Sequence, residues 1–332
     1  MADTHVARQF WIRAPRHGEI VTADLPPRQA DQVLVRTLYS GISRGTEALV
    51  FRGEVPPSQR DSMRAPFQEG DFPGPVKYGY MSVGEVLEGS DDLVGRTVFC
   101  LYPHQDLYCV PAVAVVPVPG GVPTTRALLA ANMETAVNAV WDAEATVGDR
   151  IAVIGAGVVG LLVAWLCRQI PGARVTTLDV NPARMTVARA LDLDFEVATA
   201  SPPSGLAQCD LVFHASGRPA GLARALDLAG LESTIVELSW YGTRAVPLPL
   251  GEDFHSRRLT IKSSQVGRLP ARRQPRWNHR ARLVLALDLL RDPALDALLT
   301  GESDFADLPE VLAALSDAPG DTLCHRIRYS TR

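Results

Sequence analysis

The stretch Val153-Ile-Gly-Ala-Gly-Val-Val-Gly160 sets glycines at 155, 157 and 160. In this G-x-G-x-x-G spacing each glycine has its own task. Gly155 permits a tight turn, Gly157 lets backbone amides reach a pyrophosphate, and Gly160 lets a helix lie close to the strand before it. The helix opens at Val158 and Val159, and a helix start offers unpaired N–H groups and a dipole suited to an anion. Asp179 closes the next strand-like run, 19 residues after Gly160. A carboxylate there accepts hydrogen bonds from the two hydroxyls of an adenosine ribose and repels a 2′-phosphate. Together these residues point to NAD(H) in preference to NADP(H). Arg184 argues weakly the other way, or flanks the adenine. A glycine turn that merely packs a helix on a strand is the alternative, and the strand–turn–helix–strand–acid context speaks against it.

The elements that must hold this motif are legible around it. From residue 124 the run TTRALLAANMETAVNAVWDA has helical apolar spacing. Strand and helix then alternate: RIAVIG, a helix over 158–169, ARVTTLDV, a helix over 182–191, CDLVFHAS, a helix over 219–229, then STIVELS and LTIKSSQ. Alternation at this length predicts a parallel sheet covered on both faces, hence an α/β, doubly wound Rossmann fold. His214 and Ser216 fall at the carboxyl edge of that sheet, where ligands bind, and face the cofactor in this reading.

The first third has a different texture, rich in Gly, Pro and short β-like runs. QVLVRTLYS (32–40), MSVGEVLEG (81–89), GRTVFCLY (95–102) and VAVVPVP (113–119) read as strands, and 53–75 as a long surface loop. After Gly267 come a basic loop, helices at 279–291 and 307–316, and a closing strand, CHRIRYS.

Composition narrows the function classes. The 332 residues are 46% hydrophobic and 21% charged, with a formal charge of −4, which gives no reason to expect nucleic acid or an anionic membrane as partner. The N-terminal MADTHVARQF lacks the pattern of a signal peptide, and the apolar run 151–166 is glycine-rich and too short to span a bilayer. Five scattered cysteines without CxxC spacing imply neither disulfides nor a thiolate zinc knuckle. A cytoplasmic location is the expectation.

With these motifs in hand, the chain resembles the medium-chain dehydrogenase/reductase superfamily. SGISRGTE (40–47) and KYGYMSVGEV (77–86) match the β-rich, chaperonin-10-like (GroES-like) part, ETAVNAV (134–140) the helix leading into GDRIAVIGAGVVG, and DLVFHASG a later strand. The resemblance implies a GroES-like catalytic domain over 1–130, a Rossmann domain over 131–267, a return to the catalytic domain over 268–332, and a homodimer formed through an edge strand, STIVELS or LTIKSSQ.

The resemblance also locates what is missing. In the zinc-dependent branch a cysteine stands where this chain has Ser43 (or Arg44), and a histidine where it has Tyr80. The third ligand falls near Ala130, Ala131 and Asn132, where only Glu134 is a donor. Between Phe99 and Val110 only Cys100 and Cys109 remain of a structural-zinc lobe. Zinc needs three protein donors and an open position. The expectation is therefore no metal, with protein donors serving the reacting oxygen.

Tyr80 is the candidate proton donor or oxyanion partner, or else a core-edge tyrosine. Lys77 would lower its pKa if it points the same way. Ser43 and Thr46 would hydrogen-bond the reacting oxygen, or simply cap the turn. Glu134 is either catalytic or ordinary first-turn helix chemistry, and Thr135 beside it lines the nicotinamide in relatives. Arg44 and Glu47 read as an internal ion pair that holds the turn, although Arg44 also counts among the substrate-binding candidates. His104 reads as a surface-loop histidine. Arg272, Arg273 and Trp277, within the basic run 257–282, would bind the pyrophosphate or an acidic substrate, or else form a solvated loop.

The function these readings imply is zinc-free hydride transfer between NAD(H) and a small-molecule alcohol/ketone pair, with a substrate bearing an acidic group as one variant. Rival readings are an NADPH-dependent reductase of conjugated C=C bonds, which Asp179 opposes, and a dinucleotide-binding scaffold or redox sensor without turnover.

Overall fold

A computed structural model of the chain describes residues 5–199 and 206–330. The chain forms two compact units, one from Asn132 to Arg282 and the other from the segments ending at Ala131 and resuming at Leu283.

In the first unit β1 (Arg150–Ile154) runs through the glycine turn into α1 (Val158–Arg168). Then follow β2 (Arg174–Asp179), α2 (Arg184–Ala190), β3 (Asp194–Val197), β4 (Cys209–His214), α3 (Pro219–Leu228), β5 (Ala229–Glu237) and β6 (Thr260–Ser263). The six strands form one parallel sheet in the order β3-β2-β1-β4-β5-β6, the doubly wound arrangement expected from the alternation. Its central strands are apolar on both faces because helices cover both. Ile151, Ala152, Val153, Val212 and Phe213 are all fully buried. Leu178, Leu222, Leu226 and Ile235 complete a core around β1 and β4. The strand order reverses between β1 and β4, where Ile154 pairs with His214, so the ends of these two strands flank one crevice.

The second unit is built on the long strand Gln32–Ile42. Ser82–Glu88 lies antiparallel on one side of it and Cys324–Arg328 on the other, bringing the C-terminal segment into this unit. Leu299–Asp304, Thr97–Cys100 and Val116–Pro117 extend the sheet, and Leu107–Pro111 pairs with Gln32–Arg36. A four-stranded sheet joins His17–Asp24, Val6–Ala14, Val76–Lys77 and Glu69–Gly70. The N-terminal hairpin Val6–Ala14/His17–Asp24 has no counterpart in the sequence reading.

Other differences have physical causes. The nucleotide-binding unit runs to Arg282 rather than ending at 267, because the buried Arg282 side chain bonds within it. STIVELS is not an edge: it lies in β5, paired with β4 on one side and β6 on the other, so of the two strands named for dimerisation only β6 is free along one side. VAVVPVP begins in a 3-10 turn, Ala112–Ala114, and only Val116–Pro117 joins the sheet. Among the described residues, no helix is long and apolar enough to cross a membrane.

Candidate active site

The glycine turn shows what each glycine is for. Gly155 sits at φ +104°, and a Cβ there would lie 2.7 Å from the backbone of Ser216. At Gly160 a Cβ would come within 1.9 Å of the Gly155 carbonyl oxygen. Both are glycines because the fold needs them. Gly157 is different: its φ is −79°, and a Cβ would meet nothing within 4 Å. No protein contact demands glycine there, and the open space is what a close-approaching ligand requires. No side chain caps the start of α1, so its first N–H groups are left for an acceptor from outside the helix, as an anion-binding helix start requires.

Asp179 ends β2 with its carboxylate over this turn. One oxygen accepts the Ala156 N–H at 2.7 Å and the other accepts that of Asn181 at 2.9 Å. A carboxylate has about four acceptor positions, so lone pairs remain for ribose hydroxyls. Arg184 is buried at the start of α2. These residues fit a dinucleotide.

Beside the turn, His214 ends β4 fully buried in a polar cluster. Its Nδ1 lies 2.8 Å from Glu237 Oε2 and its Nε2 2.6 Å from Ser216 Oγ. The Tyr241 hydroxyl donates to Glu237 at 2.9 Å and the Ser239 N–H donates to it at 2.6 Å. Burial, and then the Glu237 charge, hold the Tyr241 phenol well above its ordinary value. Glu237 and Tyr241 were absent from the sequence reading. A signal existed: His214 and Glu237 close neighbouring strand patterns, and the parallel register pairs them directly.

Glu134 and the basic run also find partners inside this unit. Arg282, almost fully buried, donates from Nε to Glu134 at 3.0 Å, from Nη1 to Asn138 and from Nη2 to the Val266 carbonyl at 2.6 Å. Burial raises the Glu134 pKa, and the Arg282 guanidinium opposes that rise. Glu134 therefore sits in a structural ion pair. Arg272 pairs with Glu144, Arg273 lies over the Trp141 ring, and Trp277 packs against Trp141 with centroids 4.8 Å apart. These groups line the C-terminal end of one helix and are already engaged. Thr135 is half-buried one residue beyond Glu134.

In the other unit, Tyr80, Ser43 and Thr46 come together. Ser43 follows the strand Gln32–Ile42, Thr46 opens the short helix Thr46–Phe51, and Tyr80 precedes the strand Ser82–Glu88. The Tyr80 phenol is pushed up to about 12, by burial first and then by the Glu47 charge, while the Ser43 and Thr46 hydroxyls bonded to it pull the other way. The Tyr78 ring meets the Tyr80 ring edge-on at 6.0 Å.

Three expectations for this region are corrected. Lys77 does not serve Tyr80: its ammonium binds Glu69 and donates to Gln105 Oε1 at 2.8 Å, so it points away. Glu47 does not take Arg44 as its partner. One of its oxygens accepts the Ser43 N–H at 2.8 Å and the other contacts His104 Nε2 at 2.8 Å, while Arg44 donates to the Thr322 carbonyl at 2.7 Å. His104 is no surface residue, being 1% exposed, with Nδ1 2.7 Å from Ser40 Oγ. Nothing in the local sequence marks it, because its partner is 57 positions away.

The donor set here does not fit zinc. Ser43 offers a hydroxyl, Tyr80 offers a phenol that resists ionisation, and both nitrogens of His104 are already bonded. Among the described residues, no group of three His, Cys, Asp or Glu side chains is gathered closely enough to hold a metal.

Comparison with known proteins agrees with this architecture. No family model matches the chain. D-guloside 3-dehydrogenase of Escherichia coli K12 is 24% identical over 334 aligned positions, covering 92% of each chain. L-idonate 5-dehydrogenase from E. coli superposes with a TM-score of 0.79 at 15% identity, over 98% of this chain and 99% of its own. The 2R,3R-butanediol dehydrogenase of Bacillus subtilis does so with a TM-score of 0.77 at 16% identity, over 97% and 99%. The chain is thus similar along its length to dehydrogenases of the medium-chain, alcohol-dehydrogenase-like type and shares their fold.

Proposed function

We propose that this dehydrogenase exchanges hydride between NAD(H) and the alcohol/ketone pair of a hydroxyl-rich, sugar- or polyol-like substrate, without zinc, and that Tyr80 handles the proton. The observation that carries this reading is the Tyr80–Ser43–Thr46 cluster: three hydroxyls, one of them a phenol held protonated.

The nicotinamide supplies or accepts the hydride. The protein's own groups do the rest. The α1 amides and Asp179 hold the dinucleotide, and Ser216, fixed by His214, presents a hydroxyl beside the glycine turn. In the reducing direction the carbonyl carbon gains hydride and its oxygen gains charge. The Tyr80 O–H bond breaks as the alcohol O–H bond forms, Ser43 and Thr46 donate to the phenolate left behind, and the phenolate recovers a proton from solvent. A phenol that ionises near 12 is a good neutral donor and a weak base at physiological pH, so this geometry favours carbonyl reduction and makes alcohol oxidation rise with pH.

The sugar-like substrate class rests on the full-length relative that acts on a guloside. An acidic substrate gains little support, since Arg272 and Arg273 are engaged elsewhere. We further propose a cytoplasmic homodimer joined through β6.

The test is direct. Purified enzyme should oxidise one of a panel of glycosides and polyols with NAD, and keep its activity after chelation with metal below stoichiometric amounts. Tyr80→Phe should lower kcat by about 10²–10⁴-fold with NADH affinity unchanged. Stoichiometric zinc required for turnover, a strong preference for NADPH with enones, or dinucleotide binding without any turnover would each defeat the reading.

A further inference from the structure

A carboxylate and an imidazole, each at most 2% exposed, are packed behind Tyr80, and neither contacts solvent or an ordinary surface partner. Their hydrogen bonds form one chain: Tyr329 hydroxyl to Ser40 Oγ at 2.9 Å, Ser40 to His104 Nδ1 at 2.7 Å, His104 Nε2 to Glu47 at 2.8 Å. Counting donors assigns the protons. With a neutral imidazole protonated on Nε2, Tyr329 donates to Ser40, Ser40 to Nδ1, and Nε2–H to Glu47, so that every proton has an acceptor. An imidazolium would instead donate to Ser40, turning its hydroxyl toward Tyr329 and leaving the Tyr329 proton with none. The cluster therefore carries one buried negative charge, on Glu47.

Two structural links join this pair to Tyr80. Glu47 accepts the backbone N–H of Ser43, whose hydroxyl bonds the phenol. The His104 ring lies against Gly79, immediately before Tyr80; at its φ of +134° a Cβ would come 3.0 Å from the imidazole. The pair thus grips both the turn and the segment that meet at the phenol.

We propose that the buried Glu47–His104 pair is the positioning device for Tyr80, and that its fixed negative charge adds to burial in keeping Tyr80 a proton donor rather than a base. This rests on the reading of Tyr80 as the proton-handling group. The other titratable groups facing Glu47 are Tyr78, Tyr329 and Cys324, with Asp106 and Arg8 beyond Tyr329. Burial pushes Tyr78, Tyr329 and Cys324 upward, so these three stay neutral at physiological pH and Glu47 supplies the charge.

Glu47→Gln removes the charge at nearly the same size: its oxygen accepts from Ser43 and its amide donates to Nε2, while the imidazole shifts its proton to Nδ1, which reverses the Ser40 hydroxyl and leaves the Tyr329 proton without an acceptor. Tyr80 ionisation is read at 295 nm as the difference between each protein and its Tyr80→Phe counterpart. Glu47→Gln should bring the midpoint down by about one pH unit or more, and the alkaline rise in alcohol oxidation should move down with it. A midpoint and a rise both left in place would overturn the inference. Should Glu47→Gln fail to fold, His104→Gln, which keeps an N–H toward Glu47, should lower kcat several-fold with KM little changed; an unaltered kcat would count against the pair. Full activity in Tyr80→Phe would instead sink the reading of Tyr80 itself, so the two failures are distinct.

Discussion

The carboxylate of Asp179 accepts the backbone N–H of Ala156, the residue between the first two fingerprint glycines, at 2.7 Å. The residue proposed to select the cofactor thus also braces the glycine turn. Asp179→Ser should raise the Kd for NADH about 10–100-fold and narrow or reverse the preference over NADPH, as expected for hydrogen bonds to a charged group worth about 1.5–3 kcal/mol. Fluorescence titration with both dinucleotides checks this, and an unchanged NADH/NADPH ratio would exclude Asp179 as the selector.

The glycines separate by cause. Gly160→Ala drives a methyl to 1.9 Å from the Gly155 oxygen and should cost both stability and NADH binding. Gly157→Ala meets no protein atom within 4 Å and should melt close to the wild-type temperature while binding NADH at least about tenfold more weakly. Thermal melts with and without NADH tell the two apart.

Arg282 and Glu134 form an almost fully buried ion pair. Removing one partner leaves an uncompensated charge, so Arg282→Met should destabilise by about 3–5 kcal/mol, and the double variant with Glu134→Leu should recover much of that loss. Urea unfolding measures both. A double variant no more stable than the single one would mean that the other bonds of Arg282, to Asn138 and Val266, dominate.

Acid should act on Asp296 and Glu134 in opposite senses. Arg126 holds Asp296 with bonds of 2.8 and 2.7 Å and depresses its pKa below 3.8, so its stabilising effect is present above that value and is lost as pH falls through the folded value. Asp296→Asn should lower the urea midpoint at pH 7 and approach wild type as pH falls through the folded value of Asp296. Glu134 is raised above 4.5 by burial, so its contribution is greatest below that pH and fades as pH rises through its folded value. Glu134→Gln should consequently lose least at pH 7 and most in acid. Midpoints taken at several pH values test both signs.

Much of the nucleotide-binding unit was legible in the sequence because its determinants are local. Glycines at fixed offsets, alternating apolar runs and an acid closing the second strand need only their neighbours to be recognised, and β1, α1, β2 and β4 appear close to where the patterns put them. The other unit was less legible. VAVVPVP has strand composition yet places only Val116–Pro117 in the sheet, and the N-terminal hairpin escaped notice because half-exposed antiparallel strands carry weak periodicity.

From the sequence by itself came the doubly wound sheet, the dinucleotide turn, the hydroxyls of Ser43 and Tyr80 where the resemblance places metal ligands, and Thr46 near Ser43 in the same turn. Only the tertiary structure decided what surrounds them: His104 buried against Glu47, Lys77 turned to Glu69, Glu237 set on His214, and Arg282 locked to Glu134. The reason is physical. A turn or a period is written in adjacent residues, whereas a buried charge must find its partner wherever folding brings one, across 57 positions for His104 and 148 for Arg282.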